Sequence, residues 1–421
     1  MTTSHFAARA VLSARRGFIV LCLALGAVPA AADSVVATVP IGNNPYGVAV
    51  LPDGSHAYAA NFSSDNVSVV DTATNAVAAT IVVGSHPYGI GAHPDGTRVY
   101  VTNSGADSVS VIGTATNTVI TTIAVGGQPR AVAVRPDGAV AYVANTAPGT
   151  VSVIDTATNT VAATIAVGGS PASLAVRPDG ARAYVANFDS NDVSVIDTAT
   201  NTVTATVAVG SLPQAVAVAP DGTHAYVANS GANSVSVIDT ATNTVTGTIA
   251  VGSSPRGVAF RPVGSRAYAT NYGGNSVSAI DTATNTVAAT IAVGTHPHGV
   301  VFRPDGARAY VANFSSDAVT VIAIGPQVTA LSPANGPAIG GTVVTITGLN
   351  FTGTTAVTFG ALPAASFSID SDTQITATSP AAILGIVDVR VITPDGASAN
   401  TPADDYNYDT VPVELQSFDV E

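Results

Sequence analysis

Along residues 131–169, "AVAVRPDGAVAYVANTAPGTVSVIDTATNTVAATIAVGG", apolar and small residues gather in four short runs: "AVAV", "AYVAN", "TVSVID" and "TVAATIAVG". None carries a helical period, and each reads as a strand bounded by turn formers. Pro-Asp-Gly separates the first two runs, with proline fixing φ and glycine accepting positive φ in a tight turn. Asp-Thr-Ala-Thr-Asn separates the last two and offers side-chain oxygens to nearby backbone N–H groups, as in Asx-turns. The unit predicts four antiparallel strands.

This pattern recurs with a period of 42 residues and no insertion. Pro45, Pro87, Pro129, Pro171, Pro213, Pro255 and Pro297 mark seven copies, as do Tyr58, Tyr100, Tyr142, Tyr184, Tyr226, Tyr268 and Tyr310, each followed three residues later by asparagine. Four strands at a period of about 40–45 residues indicate a β-propeller blade rather than a solenoid coil. The seventh copy lacks its fourth strand, whereas "SVVATVPIG" at 34–42 reads as an orphan one. Residues 35–39 are therefore expected to complete the last blade and remove an exposed sheet edge. Beyond Gly325 the period stops, and "PQVTALSPANGPAIGGTVVTITGLNFTGTTAVTFG", "TQITATSPA" and "GIVDVRVITPDG" give short strands as in a small β-sandwich. The expected fold is all-β: a seven-bladed propeller over 33–325, closed by an N-terminal strand, then an immunoglobulin-like domain over 326–409 and a tail, 410–421.

The repeat resembles the YVTN family of propeller repeats of secreted and surface-layer proteins. Tyr100 to Asn103 spells the tetrapeptide, and the other copies vary it as "YAAN", "YVAN" or "YATN". The C-terminal segment resembles the IPT/TIG domain, whose opening pattern is matched from Val328 through Gly348. The resemblances imply a propeller, an Ig-like binding or spacer domain and an exported location; neither implies a catalytic motif.

Arg9, Arg15 and Arg16 precede an apolar run, and Ala30-Ala-Ala32 suits signal peptidase, so residues 1–32 read as a secretory signal with cleavage after Ala32. "RRGFI" fits twin-arginine export, while Ala14 departs from that pattern, and Tat and Sec both remain open. The expected location is secreted, periplasmic or cell-surface, with no transmembrane segment in the mature chain. Cys22 is the single cysteine, so nothing beyond the signal can form a disulfide or a thiolate metal site. The formal net charge is −13, and all 14 basic residues are arginines. Such a surface disfavours nucleic acid as a partner.

The seven copies also compare with one another. The Pro-Asp-Gly and Asp-Thr-Ala-Thr-Asn turns, which share one end of the ring, hardly differ. At the other end the residues flanking the repeated proline vary: Asn44/Tyr46, His86/Tyr88, Gln128/Arg130, Ser170/Ala172, Leu212/Gln214, Ser254/Arg256 and His296/His298. After the repeated asparagine come Phe62, Phe188, Tyr272 and Phe314 in four of the copies. The candidate binding face is Tyr46, His86, Tyr88, Arg130, Gln214, Arg256, His296 and His298 with those four aromatics, shown by loops on a rigid scaffold. His86, His296 and His298 are the residues to weigh for a metal, and the loop aspartates for calcium, but neither set encodes a full ligand shell. No catalytic residue, metal or cofactor is assigned. The expected function is an exported bacterial binding or scaffold protein whose partner is an unknown protein or cell-surface ligand; the alternatives are a lactonase-like or redox propeller enzyme working at the channel mouth, and a surface-layer or adhesion protein.

Overall fold

The computed structural model describes residues 33–262, 266–393, 396–398 and 400–410. The expected signal segment and residues 411–421 of the tail lie outside the described residues. Each repeat folds as one antiparallel sheet with its strands in chain order; in the unit quoted above they are Pro129–Val134, Val140–Asn145, Thr150–Asp155 and Thr160–Ala166. A further sheet of this kind combines Pro297–Phe302, Arg308–Asn313 and Ala318–Ala323 with β1, Ser34–Pro40. There β1 runs antiparallel to the third strand, from Ser34 opposite Ala323 to Pro40 opposite Ala318. The inner strands, which begin at Pro45, Pro87, Pro129, Pro171, Pro213, Pro255 and Pro297, each pack on the next, and the last returns to the first. These seven sheets, blades 1 to 7 in the order of their inner strands, close around a central channel.

Second and third strands are buried along almost their whole length, because both faces of each sheet meet a neighbouring blade. That is why "AYVAN" and "VSVI" read as near-continuous apolar runs rather than alternating ones. Outer strands such as Thr160–Ala166 are mostly exposed and rich in threonine and alanine.

The constant turns are held as the sequence implies. Asp71 Oδ1 accepts the N–H groups of Ala73 and Thr74 and the Thr74 hydroxyl, and Asn75 ends the turn at φ 54°. The repeated asparagine is a seam: Asn103 is fully buried and donates from Nδ2 to Ser108 Oγ (3.1 Å) and Ser110 Oγ (2.9 Å). A Cβ on Gly84 would lie 2.6 Å from Asn103 Cγ, so only glycine lets the chain cross there.

The repeated tyrosines are all buried, and several of their hydroxyls reach beyond their own sheet. Tyr58 donates to Asn117 Oδ1 (2.8 Å), Tyr142 to Asn201 and Tyr184 to Asn243 (both 3.3 Å), each time in the outer turn of the next blade. A repeat in isolation hides this, because the partner lies 59 residues on. Tyr268, in blade 6, instead donates to Asp33 Oδ2 (2.6 Å) just before β1, and Arg266 pairs with the same carboxylate.

The C-terminal domain has two sheets. One is ordered Gln327–Ser332, Val343–Leu349, Gln374–Thr378, Ser366–Ser371; the other is built on Gly385–Thr393, flanked by Ala356–Phe359 and Asp405–Asp409. They enclose a core that includes Ile346, Phe351, Phe359, Val391 and Tyr406. At the junction Asn350 Nδ2 donates to the Ile324 carbonyl (2.8 Å).

Candidate binding site at the channel mouth

The backbone that delivers the variable residues is the same in every blade. The residue before the repeated proline adopts a left-handed conformation, from φ 50° at Ser254 to 55° at His296, and includes Leu212 and His86. Among the seven, Asn44 and to a lesser degree the two histidines are types enriched in this region, while Gln128, Ser170, Leu212 and Ser254 are not. In six junctions a side chain from the preceding blade fixes it: the N–H groups of Asn44, His86, Gln128, Leu212, Ser254 and His296 donate to Oδ1 of Asp317, Asp65, Asp107, Asn191, Asn233 and Asn275. Gly149 occupies the slot facing Ser170 and supplies no such clamp. Two of the loop aspartates weighed for calcium, Asp65 and Asp317, are thus engaged by backbone. Asp189 meets the Ser170 hydroxyl and Asp192 accepts from Asn187 (2.7 Å).

After the proline, each inner strand skips register against its neighbour. The bulge leaves one residue without a partner in blades 3 to 6 (Arg130, Ala172, Gln214, Arg256) and two in blades 1, 2 and 7 (Tyr46-Gly47, Tyr88-Gly89, His298-Gly299). Bulges re-aim side chains. Here they deliver one residue per blade to a cavity of about 250 Å³ lined by all seven inner strands.

In ring order the mouth residues are Tyr46, Tyr88, Arg130, Ala172, Gln214, Arg256 and His298, and they form two unlike arcs. One arc is aromatic: Tyr46 stacks on Tyr88 with centroids 4.1 Å apart, and His298 meets the edges of both at 4.4 and 5.7 Å. Behind it Phe62 and Phe314 pack edge-on against Tyr46 at 5.2 and 4.9 Å. The other arc holds Ala172 and Gln214, bracketed by the two arginines. Arg130 lies 5.4 Å from the centre of the Tyr88 ring, and Arg256 lies 3.8 Å over Tyr272.

His86 and His296 belong to the rim, not the cavity. His86 stacks on Phe62 (4.5 Å), while His296 stacks on Tyr272 (4.3 Å) and bonds Ser315 (2.7 Å). The three histidines share no aromatic partner, and no group of three metal-ligating side chains converges among the described residues. Phe188, at the start of the blade 4 loop, has no ring contact with this group among the described residues.

No aspartate or glutamate lines the cavity. Burial, reinforced by the fields of Arg256 and Arg130, pushes the His298 imidazole well below its ordinary 6.5, so it is neutral near pH 7. Its Nε2 sits 3.5 Å from the Tyr88 hydroxyl. Burial pushes the Tyr88 phenol up to about 12 and raises Tyr46 as well, against the lowering pull of the arginines. Arg256 Nε is buried and has no hydrogen-bond partner.

Two residues that support the mouth went unnoticed in the sequence. The Thr102 hydroxyl accepts the Gly89 N–H (2.8 Å) and donates to the Arg130 carbonyl (3.1 Å). Thr270 does the same between the Gly257 N–H (2.7 Å) and the His298 carbonyl (2.6 Å). A Cβ on Gly89 or Gly257 would stand 2.1 or 2.2 Å from those carbonyls, so the glycines admit the close approach that the threonines then fasten. The signal was available: threonine replaces alanine before the repeated asparagine only in these two copies, both of which carry glycine two residues after the proline.

Residues 326–408 match the IPT/TIG domain model, and residues 92–181, which run from blade 2 into blade 4, match the YNCE-like β-propeller model. The chain joins a YNCE-like propeller to an IPT/TIG domain. Together the propeller and the IPT/TIG domain make an interaction or scaffold fold. A solved structure of Kuenenia stuttgartiensis hydrazine synthase is similar to this chain, with 26% identity and a TM-score of 0.63 over 67% of this chain and 96% of that one. No curated protein matches the sequence. No helix among the described residues is long and apolar enough to cross a membrane.

Proposed function

We propose that this chain is an exported binding protein that captures a small ligand at the channel mouth, with the IPT/TIG domain as spacer or second contact. One observation carries the reading: seven equivalent backbone positions deliver an aromatic arc, Tyr46, Tyr88 and His298, and an arc of Ala172 and Gln214 bracketed by Arg130 and Arg256 into one shared cavity. Concave sites with an apolar wall and a few directed polar groups are where small molecules bind. At about 250 Å³ the cavity is below the size of about 300–1,000 Å³ usual for drug-sized ligands, so the occupant is small or is the end of a larger molecule. Export rests on the basic, apolar and small-residue pattern of residues 1–32, and N-terminal sequencing of secreted protein should begin at Asp33.

The binding reading is tested by screening small metabolites by thermal shift against the wild type and the Tyr46→Ala and Tyr88→Ala variants. Stabilising compounds should lose their effect in both variants. Hits that stabilise all three proteins equally would place binding elsewhere. The enzyme alternative has the neutral His298 beside the Tyr88 hydroxyl in its favour, an acid–base pair within reach of one cavity. Hydrazine synthesis is the named activity of the similar structure, and nothing at this mouth ties it to this chain.

A further inference from the structure

This inference rests on the channel mouth being a binding site and concerns what that site takes. Four arginines elsewhere in the propeller pair with aspartates, Arg135 with Asp137, Arg177 with Asp179, Arg266 with Asp33 and Arg303 with Asp305, while Arg98 and Arg261 donate to the Thr156 and Gly306 carbonyls, away from the mouth. Arg130 and Arg256 make no ion pair among the described residues, although the chain carries 27 acidic side chains against 14 arginines. Both guanidinium groups are half-buried against tyrosine rings, which leaves them poorly hydrated, and the cavity between them has no acidic side chain. Burying positive charge without a counter-charge is unfavourable, and an anionic occupant relieves it.

The rest of the ring narrows the choice. Ala172 and Gln214 leave room between the arginines, while Tyr46 and Tyr88 present an apolar wall and His298 stays neutral, adding no further positive charge. We infer that the mouth takes a small aromatic carboxylate, its carboxylate held by Arg130 and Arg256 and its ring against the Tyr46 and Tyr88 side. The planar guanidinium matches a carboxylate through paired charge-assisted hydrogen bonds, and Arg256 Nε has a donor to spare.

Isothermal titration of the mature protein at fixed ionic strength tests this with three probes: benzoate, benzyl alcohol and inorganic sulfate. Benzoate should bind at least about tenfold more tightly than either of the others, since only it satisfies both arcs. Arg130→Gln and Arg256→Gln should each weaken benzoate about tenfold or more and leave any benzyl alcohol binding within about twofold. Equal affinity for benzoate and benzyl alcohol, or benzoate binding indifferent to both substitutions, overturns the carboxylate assignment. Sulfate binding as tightly as benzoate overturns the aromatic half of it. Absence of benzoate binding also overturns the inference; metabolite hits lost in Tyr46→Ala and Tyr88→Ala would then leave the mouth standing as a site for another ligand class.

Discussion

Removing the Asp33 carboxylate should loosen the ring at its closure. Asp33 is 6% exposed, and its Oδ2 takes both the Arg266 guanidinium and the Tyr268 hydroxyl from blade 6, just before β1 enters blade 7. Asp33→Ala leaves a cation and a buried phenol without their acceptor. Breaking a buried pair from one side costs about 3–5 kcal/mol, most of it the stranded partner. The Arg266 side chain keeps 23% of its surface exposed, so water recovers part of that and about 2–3 kcal/mol remains. Asp33→Asn keeps an acceptor for Tyr268 and loses only the charge, and should cost about 1 kcal/mol. At about 2 °C per kcal/mol, the low end expected for large domains, calorimetry should find Tm lowered by about 5 °C for alanine and about 2 °C for asparagine. A double-mutant cycle with Arg266→Met should recover most of the alanine penalty, because the stranded cation is gone. If Asp33→Ala melts within about 1 °C of the wild type, the carboxylate is not holding the closure.

The junction clamps predict that Asp65→Ala costs about 0.5–1 kcal/mol in denaturant unfolding while Asp65→Asn is nearly neutral, because asparagine already fills that slot at 191, 233 and 275; equal losses would contradict the clamp. Gly84→Ala should destabilise by about 1–3 kcal/mol through overpacking against Asn103, and a variant as stable as the wild type would show that the seam yields. His298 predicts a pH effect. Between its depressed native pKa and 6.5 the unfolded chain binds a proton the native state does not, so stability falls as pH drops below 6.5, by at most about 1.4 kcal/mol per unit. Stability curves of His298→Gln should be flatter than wild type over that window, and parallel curves would argue against a neutral, buried imidazole.

The sequence exposed the fold because each blade repeats the same local grammar, and a strand slot filled seven times leaves little freedom. It exposed which face varies for the same reason. What it hid were the relations between blades. Tyr58 and Asn117 look like two independent consensus residues until the ring brings them together. Asp65 reads as a loop acid, and only the neighbouring backbone turns it into a clamp on His86. The histidines illustrate the limit most sharply: 86, 296 and 298 fall on blades 2 and 7, the two neighbours of blade 1, yet two lie on the rim and one lines the cavity. A left-handed residue before the proline and a bulge after it part those side chains, and no spacing rule reveals either.

In blade 7 the strand order places β1 outermost, while the chain leaves for the C-terminal domain from Ala318–Ala323, which is bonded on both sides. The two ends of the propeller should therefore answer differently to tension. A pull on the N-terminus peels an edge strand one rung at a time. A pull through the C-terminal domain must draw an interior strand out between two partners. A load applied between the C-terminal domain and the propeller face would therefore run along the stronger of the two directions.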